Sequence, residues 1–278
     1  MTGRRVVPEV LVALGDSFTE GLQDELGPHG RHQGWADRVA VGLAQAAPGL
    51  RYANLAVRGR LLDQVVAEQL PVALELVAGA EPTALVSFHA GGNDLLRPGR
   101  DLAAIKARYA DGVATLAEAG VRPLLFTVLE RAGGTGRTAD ALARRFAAFN
   151  EVVRATAAEH DAVLVDLAAA VALSDRRLWH ADRLHLNAEG HARVAAAVLE
   201  AVGLEDEAVL GGPTGWWSVQ LPAAPPAPWT TRAATDAAWV ARHLVPWVVR
   251  RLRGVSSGDG VEAKHPALVV PAWDDQGC

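Results

Sequence analysis

The stretch Val10-Leu11-Val12-Ala13-Leu14-Gly15-Asp16-Ser17 sets the reading of the chain. An unbroken apolar run ends on a glycine and then presents two polar side chains. Apolarity at every position, rather than at alternate ones, reads as a strand buried on both faces. That is the pattern of a parallel sheet covered by helices. A serine just past such a strand lies at its carboxyl edge, beside the N-terminus of whatever follows.

Working outward, apolar runs at 10–14, 52–55, 84–89, 123–129 and 162–167 alternate with amphipathic stretches at 35–47, 61–77, 102–119, 139–159 and 188–202. The helix over 61–77 must tolerate Pro71 or end near it. The helix over 188–202 has Asn187 in front of it as a cap. The alternation predicts a doubly wound, three-layer α/β/α domain with about five parallel strands. Its binding site is expected beyond the carboxyl ends of the strands, where the strand order reverses.

Composition narrows the function. Half of the 278 residues are hydrophobic and 21% are charged, so a large core is available and a disordered chain is excluded. No run of 18 or more apolar residues offers a transmembrane helix. The net charge of -5 gives no electrostatic case for a nucleic-acid partner. The single cysteine, Cys278, excludes an internal disulfide and a cysteine metal cluster. Arg4 and Arg5 lead into Val6, Val7, Pro8 and Glu9, not into the apolar core of a signal peptide. A cytoplasmic enzyme is the expectation. Lys106 and Lys264 are the only lysines among 27 basic residues, which reads as the codon bias of a GC-rich, bacterial genome.

The chain divides into a catalytic domain over 1–202 and a Pro/Trp-rich extension over 203–278. Six of the eight tryptophans lie in that extension: Trp216, Trp217, Trp229, Trp239, Trp247 and Trp273. Residues 235–253 read as a helix with Val240, Leu244, Trp247 or Val248, and Leu252 roughly on one face. Arg242, Arg250, Arg251 and Arg253 lie near or off that face, and Pro246 kinks the helix or sets its start. The extension is expected to pack on the main domain; a lid or a membrane-surface helix is the alternative. From about Val255 the chain is expected to be weakly ordered.

Three short segments carry the chemistry. Gly15-Asp16-Ser17 follows the first strand. It is not a Gly-x-Ser-x-Gly elbow, because Thr19 stands where the second glycine belongs. Gly91-Gly92-Asn93-Asp94 follows the third strand and delivers an amide that can donate to a developing oxyanion. Asp182 precedes His185 by three residues, so one loop can carry both. The carboxylate can fix the imidazole tautomer and free the other nitrogen to take a serine proton. Each segment alone also has a plain reading as a turn or loop, and a metal reading exists through His180, Asp182 and His185. Other candidates at the same sheet edge are His89 and Asp94 as pocket-shaping or strand-end groups, and Glu130 and Arg131 as substrate contacts or a surface pair. Asp166 reads as a cap or brace, His191 as a packing residue, and Trp35 and Trp179 as the mouth of the pocket.

Taken in order, the segments resemble the SGNH (GDSL-type) hydrolase family. The matching blocks are Gly15-Asp16-Ser17, Asn54-Leu55-Ala56-Val57-Arg58-Gly59, Gly91-Gly92-Asn93-Asp94 and Asp182 to His185, across about residues 9–202. The resemblance implies a flavodoxin-like α/β/α fold with no cofactor and no metal. It also implies Ser17 as nucleophile, His185 as base and Asp182 as its orienting partner. The Ser17 N–H, the Gly59 N–H and the Asn93 side chain then form the oxyanion hole. Glycine suits that place, since no Cβ hinders approach of its N–H. Ser-Phe-Thr-Glu replaces the family's usual Ser-Leu/Ile-Thr, and the tryptophan-rich extension has no counterpart in the minimal family domain. The expected activity is cleavage of carboxylic esters of small or acylated substrates through a Ser-His-Asp triad and an acyl-enzyme. The alternatives are a membrane-associated lysophospholipase or acyltransferase working through the tail helix, and a non-catalytic doubly wound binding domain.

Overall fold

The computed structural model describes residues 8–27, 30–129, 136–225 and 228–271. Six strands form one sheet: β1 (Val10–Gly15), β2 (Arg51–Asn54), β3 (Ala84–His89), β4 (Arg122–Phe126), β5 (Val163–Val165) and β6 (His265–Val269). Their order is β5-β4-β3-β1-β2-β6, with β1 to β5 parallel and β6 antiparallel on the edge of β2. The order reverses at β1, which lies between β2 and β3, so the switch point opens at the carboxyl ends of β1 and β3.

The helices lie on both faces. α1 (Ser17–Glu20) follows β1 at once, and α2 (Gly34–Ala46) precedes β2. α3 (Leu62–Gln64) runs through a π turn at Val65–Gln69 into α4 (Leu70–Val77). α5 (Gly92–Leu95), α6 (Leu102–Glu118), α7 (Arg137–Glu159), α8 (Ala188–Ala201) and α9 (Glu207–Leu210) follow in turn. In the extension, α10 (Trp229–Trp239) runs through a second π turn, Val240–Leu244, into α11 (Val245–Leu252). Both π turns end two residues before a proline, Pro71 and Pro246. Proline has no N–H to continue the ladder and its ring crowds the carbonyl four residues back, so a wider turn ahead of it lets the helix carry on. The helix over 61–77 thus tolerates Pro71, and the kink expected at Pro246 takes the same form of a π turn.

Strand β1 shows why the layers form. Val10, Val12 and Leu14 join a cluster with Leu62, Leu70, Tyr109, Val113 and Phe149, from the α3–α4, α6 and α7 layer. Leu11 and Ala13 face the opposite way, into Trp35, Val39 and Leu43 of α2 and Val194 and Val198 of α8. The two-residue side-chain period of a strand serves both cores at once.

Two expectations change. The chain past Val255 is not a loose end through the described residues: β6 pairs Tyr52 with Val269 and Asn54 with His265. Pro266 is tolerated there because an edge strand has one side with no ladder to donate to. Lys264, just before β6, has its side chain 6% exposed, and its Nζ donates to Asp37 Oδ2 at 2.5 Å and to Gln33 O at 2.6 Å. Trp35, expected at the mouth of the pocket, is fully buried under the sheet. Glu130, Arg131, Trp273 and Cys278 lie outside the described residues. Among the described residues, no helix is long and apolar enough to cross a membrane.

Candidate active site

The turn after β1 is built by its neighbours. Gly15 has φ +152°, and a Cβ there would come within 2.6 Å of both His89 O and Thr19 Oγ1, so only glycine serves. Gln69, buried in the first π turn, holds Gly15 from both sides. Its Oε1 accepts from Gly15 N at 2.8 Å and its Nε2 donates to Gly15 O at 2.9 Å. Asp16 caps α1, its Oδ1 accepting from Phe18 N at 3.1 Å. Ser17 is therefore the first residue of a helix held on a fixed turn.

The loop between β5 and α8 reaches across to it. His185 Nε2 lies 3.0 Å from Ser17 Oγ, and His185 Nδ1 lies 2.8 Å from Asp182 Oδ2. A carboxylate only accepts, so Nδ1 carries the proton and Nε2 is left to accept from the serine hydroxyl. The other Asp182 oxygen accepts from Leu184 N at 2.8 Å and His185 N at 3.0 Å. Burial alone would raise the Asp182 pKa. The hydrogen bond and charge of His185, with the two backbone N–H groups, outweigh that and hold it well below the usual carboxylate range.

Asn93 enters from the turn after β3. Its Nδ2 donates to Asp16 Oδ2 at 2.9 Å and to Arg60 O at 3.0 Å. Asp16 is 5% exposed, and its pKa is pushed up to about 6, mainly by burial and further by Asp94 and Glu20. The Phe18 N–H and His185 oppose the rise. Gly59 sits in the turn after β2 with φ +77°, under Ser256 and Ser257 of the extension. Glu20 fixes that turn, pairing with the Arg58 guanidinium and accepting from Arg58 N at 2.7 Å. Among the described residues, the N–H groups of Ser17 and Gly59 meet no protein acceptor. The structure thus brings Ser17, His185, Asp182 and Asn93 to one place. Gly59 lies in the adjoining turn and does not line the cavity.

That cavity has a volume of about 90 Å³, with Phe18, Leu22, Val128, Phe146 and Trp179 among its mostly apolar walls. His89 lines it and stacks on Phe18 at 4.3 Å between ring centroids. Asp94 faces away, accepting from Leu62 N at 2.8 Å. Asp166 accepts from Thr127, Arg154 and Ala169, a brace for the loop after β5. Sequence reasoning missed Gln69 and Glu20. Gln69 is a polar residue inside an otherwise apolar helix stripe, a signal that was there to be read.

Solved structures share this architecture. Axe2, an acetylxylan esterase from Geobacillus stearothermophilus, superposes with a TM-score of 0.58 at 22% identity, over 72% of this chain and 97% of its own. TesA superposes with a TM-score of 0.56 at 25% identity, over 70% of this chain and 98% of its own. LAE5, from the metagenome of Lake Arreo, Spain, gives 0.55 at 24% identity, over 70% and 95%. No curated protein matches the sequence. The model of the GDSL-like lipase/acylhydrolase family matches residues 13–193, a span that starts inside β1 and ends in α8. With more than half of its length in that match, the chain belongs to this family and is a carboxylic ester hydrolase.

Proposed function

We propose that Ser17, His185 and Asp182 are the catalytic triad of this hydrolase, and that its substrates are carboxylic esters with short acyl groups. The observation that carries the reading is the unbroken hydrogen-bonded line from Ser17 Oγ through His185 to Asp182, at 3.0 and 2.8 Å, on the wall of an apolar cavity. Ser17 Oγ attacks the acyl carbon as His185 Nε2 takes its proton. Collapse of the tetrahedral intermediate breaks the ester bond, and the same proton passes to the leaving alcohol. Water, deprotonated by His185, then attacks the acyl-enzyme; the proton returns to Ser17 as the acid departs.

The developing oxyanion is taken up by the Ser17 N–H, the Gly59 N–H and Asn93 Nδ2. Asn93 has one hydrogen on a carboxylate and one on the neutral Arg60 carbonyl. The charge-assisted bond to Asp16 is the stronger and stays. The hydrogen on Arg60 O is the one released to the oxyanion, as the amide pivots about its bond to Asp16.

A cavity of about 90 Å³ is smaller than the roughly 150 Å³ that holds a benzene ring, which suits an acetyl or propionyl group better than a long chain. The test is fluorophosphonate labelling and hydrolysis of a p-nitrophenyl ester series, with Ser17→Ala beside the wild type. Labelling of Ser17 in the wild type, its loss in Ser17→Ala, and kcat/KM falling beyond the shortest acyl chains are expected. Labelling that survives Ser17→Ala overturns the triad. A preference that rises through long chains overturns the substrate class.

A further inference from the structure

We propose that Trp239 of the C-terminal extension is a positioning residue for the active site: α10 pins the turn that carries Asp182 and so keeps its carboxylate on His185 instead of on His180. The inference rests on the triad reading above and adds to it a residue outside the span matched by the family model.

Asp182 has two imidazoles within reach of one oxygen. Oδ2 lies 2.8 Å from His185 Nδ1 and 3.2 Å from His180 Nδ1. The turn closes on itself, with His180 N donating to His185 O at 2.9 Å and Arg183 N to His180 O at 3.0 Å. His180 Nδ1 accepts from Asp182 N at 3.3 Å, so a small rotation of Asp182 together with a proton on that nitrogen is enough to trade one ring for the other. Arg183, the next residue, is held at φ +60°, a conformation that costs a non-glycine residue energy and needs support from outside the turn.

That support comes from α10. Trp239 Nε1 donates to the Asp182 carbonyl oxygen at 2.8 Å. The Arg183 guanidinium lies over the Trp239 ring, 4.8 Å from its centroid, and pairs with Asp236. Asp236 and Trp239 are three residues apart on α10 and so share a face. One helical turn of the extension grips two consecutive residues of the loop, one by its carbonyl and the other by its side chain. The Asp182 side chain is spent inside the turn, on Leu184 N, His185 N and the His185 ring. The carbonyl is the handle left for an external tether.

The test compares Trp239→Phe, which keeps the ring under Arg183 and removes the N–H, with Trp239→Ala. Rates of p-nitrophenyl acetate hydrolysis are expressed per fluorophosphonate-labelled site, so misfolded protein does not count. Proton NMR follows the low-field resonance of the His185 Nδ1–H shared with Asp182. Trp239→Phe is expected to lower kcat roughly tenfold with KM nearly unchanged, since a misplacement of about 1 Å costs up to ~10² in rate. The low-field resonance should broaden or vanish, and adding His180→Ala should restore part of kcat by removing the competing ring. Unchanged kcat per labelled site in both Trp239 variants, or a retained resonance, overturns the tether. Labelling of wild-type Ser17, read by mass spectrometry, reports on the triad separately.

Discussion

Asn93 donates to Asp16, Nδ2 to Oδ2, at 2.9 Å, so the residue just before the serine also orients the amide opposite it. Asn93→Ala is expected to lower turnover by about 10²–10³, the usual cost of one oxyanion donor. Asp16→Asn should do comparable damage with Asn93 intact, because the carboxylate accepts from Phe18 N with one oxygen and from Asn93 Nδ2 with the other, and an amide puts an NH2 in one of those two places.

Stability should move the other way. Asp16 is raised to about 6, so between the unfolded value of 3.8 and about 6 the folded state keeps a proton that the unfolded chain has released. Its contribution to stability is complete below the lower value and is lost as pH rises through the upper one. Asp16→Asn removes that loss, and thermal melts at pH 7 should show a variant as stable as the wild type or more so.

Two buried histidines set the opposite trend. His89 and His191 are both pushed down to about 4 by burial. His191 accepts from Trp35 N through Nδ1, at 3.3 Å, and its Nε2 lies 3.3 Å from Leu22 O; a second ring proton would face an N–H. The stability these groups give is present above pH 6.5 and drains as pH falls towards 4, where the unfolded chain binds protons the folded one refuses. His89→Phe, which keeps the contacts with Phe18 and Phe126, should shrink the drop in unfolding free energy between pH 6.5 and 4 by up to about 3 kcal/mol in urea titrations.

Lys264→Met should cost about 3–5 kcal/mol, the penalty for leaving one partner of a buried ion pair behind. Burial raises the Asp37 pKa even with Lys264 beside it, and without the lysine Tyr52 OH, at 2.7 Å, and the more distant His265 remain among the described residues. Adding Asp37→Asn should recover much of the loss in urea unfolding. If Lys264→Met unfolds at the wild-type midpoint, the pair contributes nothing.

Gln69→Met strips both partners from the Gly15 peptide groups, and each buried polar group left unmade costs about 1–3 kcal/mol. The expected signature is a lower Tm together with a lower kcat, since Ser17 sits two residues further on. Gln69→Glu keeps an acceptor for Gly15 N and loses the donor to Gly15 O, so it should fall between.

The five parallel strands were legible because each carries a short apolar run between amphipathic stretches, and the residues that meet at the site follow them in chain order. β6 was not: five residues with a proline among them carry no period, and their partner strand lies some two hundred positions earlier. Trp35 was misread because tryptophan suits a core and a pocket mouth equally well. Trp239 could not be told from its neighbouring tryptophans, since its role depends on one carbonyl brought to it by the fold. Glu20 looked like part of the serine motif and is instead the anchor of the Arg58–Gly59 turn.

The antiparallel strand on β2 also shapes how the molecule is made. While a nascent chain is still short of residue 265, the outer rim of Arg51–Asn54 shows unpaired amides and carbonyls beside Ser17's own strand. Such a rim is a template for joining another chain, so synthesis passes through a long interval of vulnerability to aggregation. Pairing with His265–Val269 closes that interval, and it brings Lys264 to Asp37 in the same step.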